Sequence, residues 1–111
     1  MDRFNTAISR AQQLHITIVL KGAYTAIALA DGSVYFNSTG NSAMSTAGSG
    51  DVLTGVIGGL MAQGYSPSEA ATMGVYLHGL AGDIALKEIG HQGLLAGDIA
   101  DRLPRAMDQS K

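Results

Sequence analysis

Apolar positions recur along the chain first at helical spacing, then as a continuous run, then in short blocks around a turn, and each change of period marks a new element. Phe4, Ala7, Ile8, Ala11 and Leu14 share one helical face and Asp2 can cap its start, which predicts an amphipathic helix over 2–14. Ile16-Thr17-Ile18-Val19-Leu20 is rich in β-branched residues and almost wholly apolar. That is the pattern of a strand buried on both faces, and it stops at Lys21-Gly22. Two further strand-like runs, 25–30 and 33–37, flank Asp31-Gly32, the two-residue signal of a tight hairpin.

Beyond a glycine-rich stretch, Val52, Leu53, Val56, Ile57, Leu60 and Met61 form one apolar stripe, predicting a helix over 51–63 closed by Gly64. Ser66-Pro67-Ser68-Glu69 supplies an N-cap, a proline at the first helical position and a capping-box glutamate, and starts a helix running to about Lys87. A last helix is expected over 96–108, kinked or interrupted at Pro104, which removes a backbone donor. A helix followed by a buried strand, a hairpin and more helices describes a layered α/β fold of about three strands and four helices.

Composition narrows the function more than the fold. A chain of 111 residues, 46% hydrophobic and 14% charged, is one folded domain at most. A net charge of -2, with seven scattered Lys and Arg, gives no basic footprint for nucleic acid. No apolar run approaches the ~20 residues of a membrane span, and the N-terminus lacks the apolar core of a signal peptide, so a cytoplasmic protein is expected. The absence of cysteine removes disulfides, thiolate metal sites and cysteine nucleophiles. His78 has neither His15 nor His91 at ligand spacing, so no metal site is expected, and His78 is read as a packed, hydrogen-bonded residue. Met44 and Met61 are read as core fillers, and Gly55, Gly58, Gly59 and Gly74 as places where helices pack closely.

The chemistry concentrates in Asn41-Ser42-Ala43-Met44-Ser45-Thr46-Ala47-Gly48-Ser49-Gly50-Asp51-Val52-Leu53-Thr54-Gly55. Small residues and glycines running into a helix N-terminus build an anion hole, because open N–H groups and the positive end of the helix dipole face a backbone that a phosphate can approach. Asp51 closes the run. From the residues alone it is either a carboxylate that complements the dipole or a proton-transfer group beside bound phosphate. Lys21, at a strand end, is either a solvated charge or a phosphate contact.

Lys21-Gly22-Ala23-Tyr24-Thr25, the hairpin, Asn41 through Gly55 and Tyr76-Leu77-His78-Gly79-Leu80-Ala81-Gly82-Asp83 occur in the order found in the ADP/ATP-dependent NAD(P)H-hydrate dehydratases of the ribokinase-like superfamily, which the whole chain resembles. The most specific element is Met44 through Leu53; a bare glycine-glycine-aspartate pattern also fits small-molecule kinases of the superfamily. The sequence departs from the family at Ser42 and Ala43, where a proline and a glycine are usual. The resemblance implies that residues 1–111 are the C-terminal half of a ribokinase-like domain, carrying most of the nucleotide site. It also implies association with a second copy or with an N-terminal companion.

The implied activity is repair: ADP or ATP, with Mg²⁺, drives removal of water from NADHX or NADPHX. Lys21, Gly22, Ala23, Tyr24, Thr25, Asn41, Thr46, Ala47, Gly48, Ser49 and Gly50 would hold the nucleotide, and Asp51 would meet the substrate as catalytic base. The alternatives are an inactive fragment that keeps a nucleotide half-site or forms oligomers, and a small-molecule kinase of the same superfamily.

Overall fold

The computed structural model describes residues 3–21 and 25–110. Its first element is helix α1, Arg3–Leu14, whose buried residues are Ala7 and Ala11; the expected cap, Asp2, lies outside the described residues. The helix closes through Ile16 N–H donating to Ala11 O, with His15 in the left-handed region at φ 54. Three strands follow: β1 (Ile18–Leu20), β2 (Ala26–Ala28) and β3 (Val34–Phe36). They form an antiparallel sheet in the order β1-β2-β3, with Val19 opposite Ile27 and Ile27 opposite Tyr35.

This order corrects one expectation. The 16–20 run was expected to be buried on both faces, yet β1 is only half-buried, and the doubly buried strand is β2. Position decides it: β2 has a neighbour on each side, whereas β1 is an edge. The hairpin forms as expected, with a longer loop than the two residues predicted. Leu29 N–H donates to Ser33 O and Gly32 N–H to Leu29 O, leaving a three-residue loop, Ala30-Asp31-Gly32. Gly32 adopts φ 92, and Asp31 Oδ1 accepts from Ser33 N–H at 2.8 Å. A turn of this length ends on a left-handed residue, which glycine supplies without strain.

Side chains alternate across the sheet and sort the helices into layers. Ala28, Ile18 and Leu20 pack with Ala7, Ile8 and Ala11 of α1 on one face. Ile27, Val19 and Leu29 pack on the other face with Leu53 and Ile57 of helix α2 (Ser49–Ala62) and with Ala71 and Val75 of helix α3 (Pro67–Ile89). The result is an α/β/α sandwich. Helix α2 ends in two bonds, Tyr65 N–H to Leu60 O and Gly64 N–H to Met61 O, with Gly64 at φ 103. The capping box of α3 is complete: Glu69 N–H donates to Ser66 Oγ at 3.2 Å and Ser66 N–H to Glu69 Oε1 at 2.9 Å.

The expected 96–108 helix is interrupted and forms two short helices, α4 (Ala96–Asp101) and α5 (Leu103–Gln109). Pro104 sits in the first turn of α5, where its missing N–H costs no helical bond, so Arg102 becomes the joint between the two. Arg102 bonds Glu88 and the carbonyl of Asp98, and Arg105 also reaches Glu88, which ties the end of α3 to α4 and α5. Leu77, Ala81, Ala85, Leu94, Ile99 and Ala106 form the core of this helical end. Two readings of small or soft residues fail. Met61 is 46% exposed, so it fills no core. Gly74 does pack closely, since a methyl there would approach Ile57 Cγ1 to 2.7 Å, but Gly55, Gly58 and Gly59 face open space.

Candidate functional site

A cavity of about 450 Å³ opens where the sheet, the N-terminus of α2 and the middle of α3 meet. Its floor is the loop that enters α2. Ser42–Met44 forms one 3-10 turn capped by Asn41, whose Oδ1 accepts from Ala43 N–H at 3.0 Å. The chain then turns twice more through Thr46 N–H to Met44 O and Ser49 N–H to Thr46 O. Gly48 stands at the helix cap with φ 88, a conformation that favours glycine, and contributes no side-chain cap. The N–H groups of Gly50 and Asp51 therefore make no bond to a described residue and remain open donors at the positive end of the α2 dipole.

Lys21 completes the electrostatics. It is the residue after β1, and its carbonyl accepts from Arg3 Nη2 at 2.7 Å. Its ammonium lies over the first turn of α2, so that a methyl added at Gly50 would come within 3.1 Å of Lys21 Nζ. A lysine charge, a helix N-terminus and a bare glycine thus converge on one small volume, the arrangement that binds a phosphate.

On the opposite wall, His78 is 6% exposed, with Nε2 3.4 Å from Ser49 Oγ. Burial lowers its pKa from 6.5, a backbone hydrogen bond with Ser49 opposes that shift, and the nearby Lys21 charge adds to the lowering. The ring is therefore neutral at pH 7. This agrees with its reading as a packed, hydrogen-bonded residue and adds that it forms part of the cavity wall.

Of the residues implicated from the sequence, Lys21, Thr25, Asn41, Thr46, Ser49 and Gly50 come together around this cavity. Ala47, Gly48 and Asp51 are exposed on the same loop and first turn, beside its wall and not on it. Gly22, Ala23 and Tyr24 lie outside the described residues. Sequence reasoning passed over Asn37, Thr39 and Gly40 on one side and Leu53, Val75 and Gly79 on the other. A signal was present for the glycines of α3: Gly79 and Gly82 stand three apart in a long helix, a spacing that leaves one strip of backbone bare. Loop 39–44 lies on that strip, since a methyl at Gly79 would meet Thr39 C at 2.7 Å and Gly40 N at 2.9 Å. Met44 fills the equivalent space over Gly82, so its reading as a packing residue holds, although it also lines the cavity.

Among the described residues no three His, Asp or Glu side chains converge as a metal site. Asp83, half-buried on α3, accepts from Gly40 N–H and Asn41 Nδ2. No helix among them is long and apolar enough to cross a membrane.

Comparison with known proteins places the fold and the family. The chain is 52% identical over 103 residues to the bifunctional NAD(P)H-hydrate repair enzyme Nnr of Moorella thermoacetica, an alignment covering 93% of this chain and 19% of that protein. The fold matches the crystal structure of the Bacillus subtilis ADP/ATP-dependent NAD(P)H-hydrate dehydratase, co-crystallized with ATP/Mg²⁺. The TM-score is 0.90 at 39% identity, over 99% of this chain and 40% of that one. A ribokinase-like superfamily protein of Enterococcus faecalis V583 matches with a TM-score of 0.80 at 37% identity, over 98% of this chain and 37% of that one. The fold is thus ribokinase-like, and the chain spans about a fifth of the Moorella protein and about two fifths of the solved structures. With residues 1–105 matching the family described as NAD(P)H-hydrate dehydratase, the chain belongs to that family.

Proposed function

We propose that this chain forms the phosphate-binding part of an enzyme that dehydrates NADHX and NADPHX to NADH and NADPH at the expense of ADP or ATP. The observation that carries the reading is the convergence of Lys21 Nζ with the open first turn of α2 over Gly50, in a chain of this family. Hydroxide is a poor leaving group from the hydrated nicotinamide ring, and phosphorylation makes the departure feasible. The ring hydroxyl attacks the terminal phosphoryl group, the bond to the nucleotide's bridging oxygen breaks, and the hydroxyl proton passes to a base. The ring nitrogen's electron pair then expels phosphate, and loss of a neighbouring C–H proton restores the double bond.

In this reading Asp51 is the base, placed on the turn that holds the phosphoryl group, and the Gly50 and Asp51 N–H groups stabilise the charge gathering there. Lys21 holds the nucleotide phosphates. Thr25, Asn41, Thr46 and Ser49 shape the remainder of the cavity, Ala47 and Gly48 complete the loop entering α2, and Gly22, Ala23 and Tyr24 are taken as further nucleotide contacts. A Mg²⁺ ion would travel on the nucleotide's own oxygens, and no step is assigned to it.

The test is recovery of NADH absorbance from NADHX on adding ADP or ATP, beside calorimetric titration of the same nucleotide. Asp51→Asn is expected to lower turnover by about 10²–10⁴-fold while leaving nucleotide affinity within about threefold. Lys21→Ala is expected to weaken nucleotide affinity by about tenfold or more. Nucleotide binding without turnover would reduce the chain to a half-site that needs further polypeptide; loss of neither property in Lys21→Ala would sink the site itself.

A further inference from the structure

We infer that Asp83 of α3 is the positioning residue of the nucleotide site, acting through a one-way hydrogen-bond relay that fixes the entrance loop; the inference rests on the nucleotide-binding reading above. The relay has three links. Ala43 N–H donates to Asn41 Oδ1 at 3.0 Å, Asn41 Nδ2 donates to Asp83 Oδ1 at 2.8 Å, and Gly40 N–H donates to Asp83 Oδ2 at 3.0 Å. Every donor points the same way and both carboxylate oxygens are used. Because Ala43 N–H can only donate, Asn41 must present its oxygen to the loop and its amide nitrogen to α3. Only an acceptor at position 83 completes the circuit.

Packing of Ala43 and Met44 in the core and bonds at Thr39 also seat the loop, but the contacts to Asp83 are the ones that fix its backbone at Gly40 and the side chain of Asn41. The loop lies on the bare backbone of α3 at Gly79, where its own atoms occupy the space of a side chain, and Thr39 Oγ1 donates to Tyr76 O at 2.8 Å just upstream. The carboxylate sits one turn beyond Gly79, on the strip of α3 that the loop covers, and binds two successive residues of it. Charge-assisted bonds of this kind are about twice as strong as neutral ones. Gly40, Asn41 and Met44 line the cavity, so a change in the loop's seating on α3 alters the cavity directly. Asp83 itself does not line the cavity, so its effect is geometric.

The polarity of the relay supplies a test that a merely stabilising contact would not pass. In Asp83→Asn one link must set donor against donor, whichever way the two amides turn. In Asn41→Asp two carboxylates face each other. In the double variant carrying both changes the relay closes again: the carboxylate at 41 accepts from Ala43 N–H and from the amide at 83, whose oxygen accepts from Gly40 N–H. Calorimetric titration of the full chain with ATP and Mg²⁺ is expected to show about a tenfold loss of affinity in Asp83→Asn and at least as much in Asn41→Asp, with most of the loss recovered in the double variant. Amide exchange at Gly40 and Ala43 should rise in the single variants and fall back in the double one.

An Asp83→Asn chain that binds ATP like the wild type overturns the inference. So does a double variant no better than the worse single one. A wild-type chain that binds no ATP defeats the nucleotide reading itself, which the unsubstituted arm detects before any variant is measured.

Discussion

His78 shows how one residue records the state of the site. Its ring is buried beside Ser49 and within the influence of the Lys21 charge, so the folded state disfavours its protonated form. The unfolded chain, with an ordinary pKa near 6.5, then binds the extra proton more readily, and stability rises with pH wherever that difference operates. The contribution is present above about 6.5 and is lost as pH falls below it toward the folded value. Thermal melts between about pH 7.5 and 5 should show wild-type stability declining on acidification, and His78→Gln should flatten the decline in that interval. The carboxylates held low by hydrogen bonds, Asp31, Glu69 and Glu88, act only in a more acidic range and leave this window clear. Lys21→Met, by removing a nearby positive charge, should raise the His78 pKa as followed by its ring proton resonances. A slope unchanged in His78→Gln would show that another group sets the decline.

Between elements, the decisive feature is the bare strip of α3. A methyl at Gly79 would meet the backbone of Thr39 and Gly40, which cannot step aside without moving the loop. At Gly82 the obstacle is the Met44 thioether chain, whose Cγ would lie 2.7 Å away but whose rotamers can change. Alanine gains about 1 kcal/mol of helix propensity over glycine at either place. Gly79→Ala is therefore expected to cost about 2 kcal/mol net, and Gly82→Ala to remain within about 0.5 kcal/mol of the wild type, in urea unfolding. Equal costs would mean that the loop yields as easily as a methionine. The same contrast marks what the sequence discloses. The α3 capping box, the Gly64 helix end and the Asp31-Gly32 turn all depend on residues within a few positions of one another, so their types reveal them. Which strand is central, that Gly79 rather than Gly55 meets a neighbour, and that Asp83 reaches Asn41 all depend on pairings across tens of residues, which local pattern does not encode. For the candidate site, the loop stood out because a glycine-rich run into a helix N-terminus is a local signature, whereas Lys21 was singled out only through the family resemblance. The wall made by Asn37, Thr39, Val75 and His78 was not legible, since those residues owe their role only to where α3 crosses the sheet.

The whole molecule is flatter than its length requires, with extents of 42 × 32 × 21 Å and a radius of gyration of 14.0 Å against about 13 Å for a compact chain of this size. The thinness comes from a sheet of three strands, so that two of every three strands are edges. On β3, Phe36 is 64% exposed and rests edge-on against Phe4 of α1 at 5.9 Å, while Tyr35 on the other face is 52% exposed above a groove it shares with Met73 and Tyr76. An open strand edge flanked by aromatic side chains favours pairing with another polypeptide, and the brevity of the strands works against it. The aromatic area should win, because three backbone pairs add little while Tyr35 and Phe36 together offer most of their surface. Sedimentation velocity across a range of concentrations is then expected to show reversible self-association. Tyr35→Lys should shift it toward the monomer, and Leu95→Lys, at a still more exposed position capping α4, which packs on helices, should leave it unchanged. Equal loss in both variants would point to nonspecific apolar adhesion, and a wild type that stays monomeric throughout would show that strands of three residues are short enough to protect their own edges.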